Sequence, residues 1–94
     1  MIDIRRLHWD PGNITHIARY QVSLEEVEEA CQNSPMMSQS YMGRLRVIGP
    51  TDSGRMLTVI LDPEIDDCYY PVTARPASRQ ERRRYDEEQG GNQT

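Results

Sequence analysis

The run from Met56 to Leu61, MLTVIL, constrains this chain more than any other stretch. It is almost continuously apolar and is bounded by turn sequences, Thr51 to Gly54 before it and Asp62 to Asp67 after it. Such a run suits a strand in the middle of a sheet, covered on both faces. Its neighbours fit that reading. Arg44 to Ile48 alternates, with Leu45 and Val47 on one face, and Cys68 to Ala74 returns after the second turn. Short connections make these three segments an antiparallel meander. Pro71 has no N–H for the ladder, so the last strand lies at an edge or is bulged there.

Helices flank the meander. Met1 to Trp9 alternates in part and reads as a first strand ending near Trp9. Asp10-Pro11 then opens a short helix, with Asp as cap and proline at the first helical position; Ile14, Ile17 and Ala18 follow at helical spacing, and the helix should end near Tyr20. Ser23 and Glu26 form a capping box for a second helix, Val22 can staple to Val27, and Leu24, Val27, Ala30 and Cys31 make the buried stripe. Asn33-Ser34-Pro35 stops it. Met36 to Gly43 carries no clear pattern and stays open between a poor edge strand and a loop. Ser78 and Glu81 form another capping box, and the helix it starts should fade near Glu88, leaving Gln89 to Thr94 as a disordered polar tail. The expected order is β-α-α-β-β-β-α: an α+β fold with a small antiparallel sheet of three to four strands, formed by residues 1–88 as one domain.

Charge is unevenly distributed. Arg75, Arg79, Arg82, Arg83 and Arg84 face a single acid, Glu81, giving +4 in ten residues, in a chain whose total of −4 leaves −8 for the rest. All eleven basic residues are arginine. The absence of lysine excludes Schiff-base chemistry and a phosphate-loop lysine. Cys31 and Cys68 match no metal spacing, and the acidic turn 62–67 lacks the spacing of a calcium loop. No run approaches membrane-spanning length, and no signal peptide is read, so the expected setting is the cytoplasm with both thiols reduced and buried.

Arginine forks suit phosphate. The competing account is an ion-paired, solvated helix face, because Arg82 and Asp86, Arg83 and Glu87, and Arg84 and Glu88 are all spaced i,i+4. The order of charges argues against stability as the sole purpose, since the bases sit toward the N-terminus and the acids toward the C-terminus, opposite to the helix dipole. A metal-free ribonuclease also needs a base and an acid. The chain offers His8, His16, Tyr20, Glu81 and Tyr85. His8, beside Trp9 in a strand, reads first as a structural or surface residue, and Tyr85 as a packing residue; His16 lies on the first helix near Arg19 and Tyr20.

Two segments together resemble the BrnT family of toxin-antitoxin ribonucleases. Trp9-Asp10 followed by HIARYQVSLEEVEEA resembles that family's WD...KHGVSFEEA, and TARPASRQERRRY, Thr73 to Tyr85, resembles its SARKATxRERRxY. The resemblance spans about Ile4 to Glu88. It implies a RelE-like fold, metal-independent endoribonuclease activity by 2′-hydroxyl attack, RNA as substrate, a cognate antitoxin, and no cofactor. Either a homodimer or a toxin-antitoxin hetero-oligomer fits. The matching positions are Arg75, Arg79, Glu81, Arg82, Arg83 and Tyr85. On this reading Arg19, Arg75, Arg79, Arg82, Arg83 and Tyr85 contact nucleic acid, and the catalytic set is drawn from His16, Tyr20, Glu81, Arg75 and Arg79. The departure lies at the family's His-Gly, which is Tyr20-Gln21 here, with Arg19 in place of the preceding lysine. A phenol with an ordinary pKa near 10 is a poor substitute for imidazole at neutral pH. The second expectation is therefore a catalytically inactive BrnT-like module that binds protein or nucleic acid.

Overall fold

The computed structural model describes residues 3–90. In chain order it forms β1 (Arg6–Leu7), α1 (Pro11–Ala18), α2 (Leu24–Gln32), β2 (Met36–Gln39), β3 (Leu45–Pro50), β4 (Met56–Pro63), β5 (Cys68–Pro76) and α3 (Arg79–Gly90). Single 3-10 turns at Tyr41–Gly43 and Ile65–Asp67 join β2 to β3 and β4 to β5. The strands form one mixed sheet in the order β1-β5-β4-β3-β2, so the apolar β4 is central, as its composition requires. The fold is α+β.

The sheet holds five strands rather than three or four, for two reasons. The first strand is only Arg6–Leu7 and pairs parallel to β5, which makes the sheet mixed; Trp9 lies beyond it. The unpatterned stretch after α2 supplies the edge strand β2, paired antiparallel with β3 from Met36 opposite Ile48 to Gln39 opposite Leu45. Between β4 and β5 the register moves from Ile60 opposite Thr73 to Leu61 opposite Pro71, so of the two alternatives at the proline, an edge or a bulge, the bulge is the one present. It resolves the conflict at Pro71, which is fully buried within a strand that has neighbours on both sides.

One face of the sheet carries the apolar core. Leu57, Val59 and Leu61 of β4, Leu45 and Val47 of β3 and Ala74 of β5 meet Ile17 of α1, Val22, and Val27 and Ala30 of α2. Burying a side chain of this size contributes roughly 1.5–3 kcal/mol, and this layer holds most of the buried apolar side chains. Both helix starts follow the sequence closely. Asp10 caps Asn13 N–H, with Asn13 Oδ1 returning to Asp10 N–H, and Ser23 and Glu26 form the second capping box. Burial pushes the Cys31 thiol up to about 12, which suits its place under α2.

α3 lies on the opposite face. It continues through Gly90, past the expected end at Glu88, so Gln89 and Gly90 are helical; residues 91–94 of the expected disordered tail lie outside the described residues. No side chain of α3 is fully buried, and its half-buried positions are Glu81 and Tyr85, one turn apart.

Candidate nucleic-acid interface

Side chains alternate across a strand, so the residues between the core positions form the second face. The register arranges them in rows. Arg75, Thr58, Ile48 and Met36 lie opposite one another on successive strands, and Thr73, Ile60, Arg46 and Ser38 form the next row. Tyr70 opposite Asp62 begins a third. α3 crosses the strands along the first row. Its Glu81 meets Thr58 on β4, while Tyr85 Oη and Gln89 Nε2 each donate to the carbonyl of Ser34, just ahead of β2, at 3.0 Å. The other two rows remain open beside it.

Glu81 is the pivot of that attachment. The Arg75 guanidinium donates to it from both ends of its fork, at 2.8 and 2.9 Å, the Thr58 hydroxyl donates at 2.9 Å, and the backbone N–H of Ser78 donates at 2.8 Å. Ser78 Oγ in turn accepts from Glu81 N–H, completing the capping box. The Arg75 fork above all holds the Glu81 carboxyl at about 2 despite partial burial. A carboxylate so acidic, with its lone pairs engaged, is a weak base at neutral pH. Arg75 is likewise committed to Glu81, not gathered with the helix arginines.

Those arginines are free. Among the described residues no carboxylate lies within ion-pair distance of Arg79, Arg82, Arg83 or Arg84, so none of the i,i+4 pairs closes. With Glu81 and Tyr85 turned to the sheet, helical spacing places Arg79 and Arg83 on the outward side, and all four arginines are exposed. Arg84 lines a groove with Met36, Glu87 and Glu88. The arginines thus surround the first half of the helix instead of converging in one pocket. They add to the partial positive charge of the helix N-terminus, and the only acid of that first turn is neutralised by Arg75.

The sheet adds a cation that sequence reasoning passed over. Arg46, in the open second row, is half-buried, and its Nε donates to Ser38 Oγ at 3.3 Å; no acid lies within ion-pair distance of it among the described residues. The signal was present, because alternation that puts Leu45 and Val47 in the core puts Arg46 on the other face.

His16, Arg19 and Tyr20 lie elsewhere. α1 packs on the core face through Ile17, so these residues are on the side of the sheet away from α3. His16 and Tyr20 stack edge to face at 5.7 Å, and Tyr20 is exposed. They do share an end of the molecule with the start of α3. Arg55 Nη1 donates to the carbonyl of Gln21 at 2.7 Å, and the next residue, Met56, accepts from Ala77 N–H at 2.9 Å. The structure therefore sets Arg75, Glu81 and Tyr85 at the attachment of α3 to the sheet, keeps the free helix arginines apart from them on its exposed surface, and leaves His16, Arg19 and Tyr20 around the sheet edge. His8 is on the α3 side, since it alternates with Leu7 and Trp9, which both pack against the core.

No family model matches the chain, and no curated protein matches it. A solved structure does: the ribonuclease toxin BrnT of Brucella abortus, with TM-score 0.63 and 23% identity, aligned over 79% of this chain and 97% of that one. The α+β fold described above is thus a BrnT-like fold. No helix among the described residues is long and apolar enough to cross a membrane, and no cluster of three or more His, Cys, Asp or Glu residues among them could hold a metal ion.

Proposed function

We propose that this protein is a BrnT-like endoribonuclease toxin that cuts RNA without a metal, by attack of a 2′-hydroxyl on the adjacent phosphate. The observation that carries this reading is the set of unpaired arginines at the positive end of α3, beside an open polar sheet face, on the fold shared with a ribonuclease toxin. Arg79, Arg82 and Arg83 contact phosphates. Arg46 continues the path across the sheet. Arg75 and Glu81 position α3, and Tyr85 ties it down. Arg19, His16 and Tyr20 meet only RNA that wraps around the sheet edge. An antitoxin covers the arginines in the resting cytoplasmic complex, a toxin-antitoxin hetero-oligomer. The test is cleavage of a long single-stranded RNA in EDTA by the wild type and by a variant with Arg79, Arg82 and Arg83 all changed to Ala. Cutting by the wild type that the variant loses is the expected result.

The engagement of Glu81 and the separation of His16 and Tyr20 from the arginines favour one other reading, a catalytically inactive module that binds RNA or protein. RNA binding without cleavage by the folded wild type selects it.

A further inference from the structure

We infer that His8 is the proton-transfer group for RNA cleavage, oriented by Glu64, in a cleft that Arg6 equips for phosphate; this rests on the RNA-cleaving reading above. His8 Nδ1 lies 3.1 and 3.2 Å from the two carboxylate oxygens of Glu64. An Nδ1–H donated to that carboxylate selects the tautomer whose free lone pair is on Nε2, the arrangement a general base requires. The ring is fixed from behind as well. Tyr70 meets it edge to face at 5.3 Å and is itself held by donating to Asp10 Oδ1 and Oδ2 at 3.2 and 3.1 Å. The His8 side chain nevertheless remains 49% exposed, so Nε2 is open to a substrate.

The surroundings form a cleft of about 390 Å³ lined by Arg6, Leu7, His8, Trp9, Glu64 and Cys68. Arg6 supplies a cation two residues before His8 on the same strand face, and no acid lies within ion-pair distance of it among the described residues. The Cys68 thiol donates to Glu64 Oε1 at 3.5 Å and serves as a second fixing contact on the carboxylate. His16 has no carboxylate partner among the described residues and lies on the other side of the sheet. Asp62, opposite Tyr70, is four residues along β4 from Thr58 in the row under α3, roughly 13 Å at ~3.3 Å per residue, with the row of Arg46 between them. A short single strand bridges that span.

In the reaction, Nε2 of His8 accepts the proton of a ribose 2′-hydroxyl as the 2′-oxygen bonds to phosphorus. The bond from phosphorus to the 5′-oxygen breaks, that oxygen takes a proton from water, and the imidazolium returns its proton to solvent. The products are a 2′,3′-cyclic phosphate and a 5′-hydroxyl end. Arg6 balances the charge that gathers on the phosphoryl oxygens.

The experiment is single-turnover cleavage of a single-stranded RNA in EDTA by wild type, His8→Ala, His8→Gln and Glu64→Gln, with RNA affinity measured on each and circular dichroism confirming the fold. His8→Ala and His8→Gln are expected to slow cleavage by ~100-fold or more with affinity within about twofold, while Glu64→Gln costs ~10-fold by loosening the ring. Added imidazole, diffusing into the emptied cleft, restores part of the His8→Ala rate, which a structural role for His8 would not permit. If wild type and both His8 variants cut equally, or if imidazole leaves His8→Ala unrescued, the assignment of His8 is overturned while the ribonuclease reading stands. A wild type that binds RNA and does not cut it overturns both.

Discussion

Arg75 grips Glu81 with both arms of its guanidinium, joining the end of β5 to the first turn of α3. The motif that looked like a basic catalytic cluster thus contains one internally neutralised pair and a separate group of free cations.

That pair makes stability depend on acid. The Glu81 carboxyl is depressed from 4.5 to about 2 by Arg75, so its contribution is complete above pH 4.5 and is lost as pH falls toward 2. With Arg75 half-exposed, solvent screening reduces the effect to about 1–2 kcal/mol. Urea unfolding of wild type and Glu81→Gln between pH 2 and 7 checks this. The variant is expected to be less stable at pH 7 and to lose the wild-type slope in that acid window; parallel curves would refute it.

Arg46→Ala is expected to weaken RNA binding without altering the thermal midpoint beyond a degree or two. One fewer phosphate contact lowers the salt slope of log affinity by about 0.7 for a single strand. Fluorescence titration over a range of salt measures it, and an unchanged slope would remove the open sheet rows from the RNA path.

Gly49 sits where β3 passes beneath α2. A Cβ there would collide with the backbone carbonyl oxygen of Ala30 and press on Pro35 Cβ at 3.2 Å. Gly49→Ala should therefore cost about 1–3 kcal/mol through displacement of α2, read as a lower urea midpoint. RNA affinity at a temperature where the variant is folded should barely change, because the crowding falls on the core face.

Tyr85→Phe removes the hydroxyl that donates to Ser34 and keeps the ring. The expected loss is ~0.5–1.5 kcal/mol, confined to α3. Hydrogen exchange should quicken in Arg82 to Gln89 and stay slow in β3 and β4; uniform acceleration would show that α3 and the core unfold together.

Much of this architecture was legible in the sequence. The apolar run placed β4 at the centre, Asp10, Ser23 and Ser78 marked the helix starts, and Pro71 narrowed its strand to an edge or a bulge. Met36 to Gln39 was not legible, because an edge strand paired on one side, with Met36, Met37 and Ser38 all half-buried, needs no strict alternation. Arg6–Leu7 is too short to show a period. The larger omission was facing. Local pattern shows that a helix has a buried side but not which side of the sheet receives it. His16 and Tyr20 could therefore be grouped with the arginines on paper, although α1 and α3 lie on opposite faces. His8, though among the candidates, read first as a structural or surface residue for the complementary reason, since Glu64 is 56 residues away in sequence.

The seam beneath α3, where polar contacts at Thr58 and Ser34 flank the buried Ile48, bears on how the helix is attached. Every residue of the buried cluster from Ile17 to Ala74 precedes Arg79 in the chain. The apolar layer thus draws on no residue of the arginine helix, which closes over the other face of the sheet. A lesion that unfastens Glu81 or Tyr85 would accordingly yield a sound scaffold with a loose cationic arm, a defect of aim more than of folding.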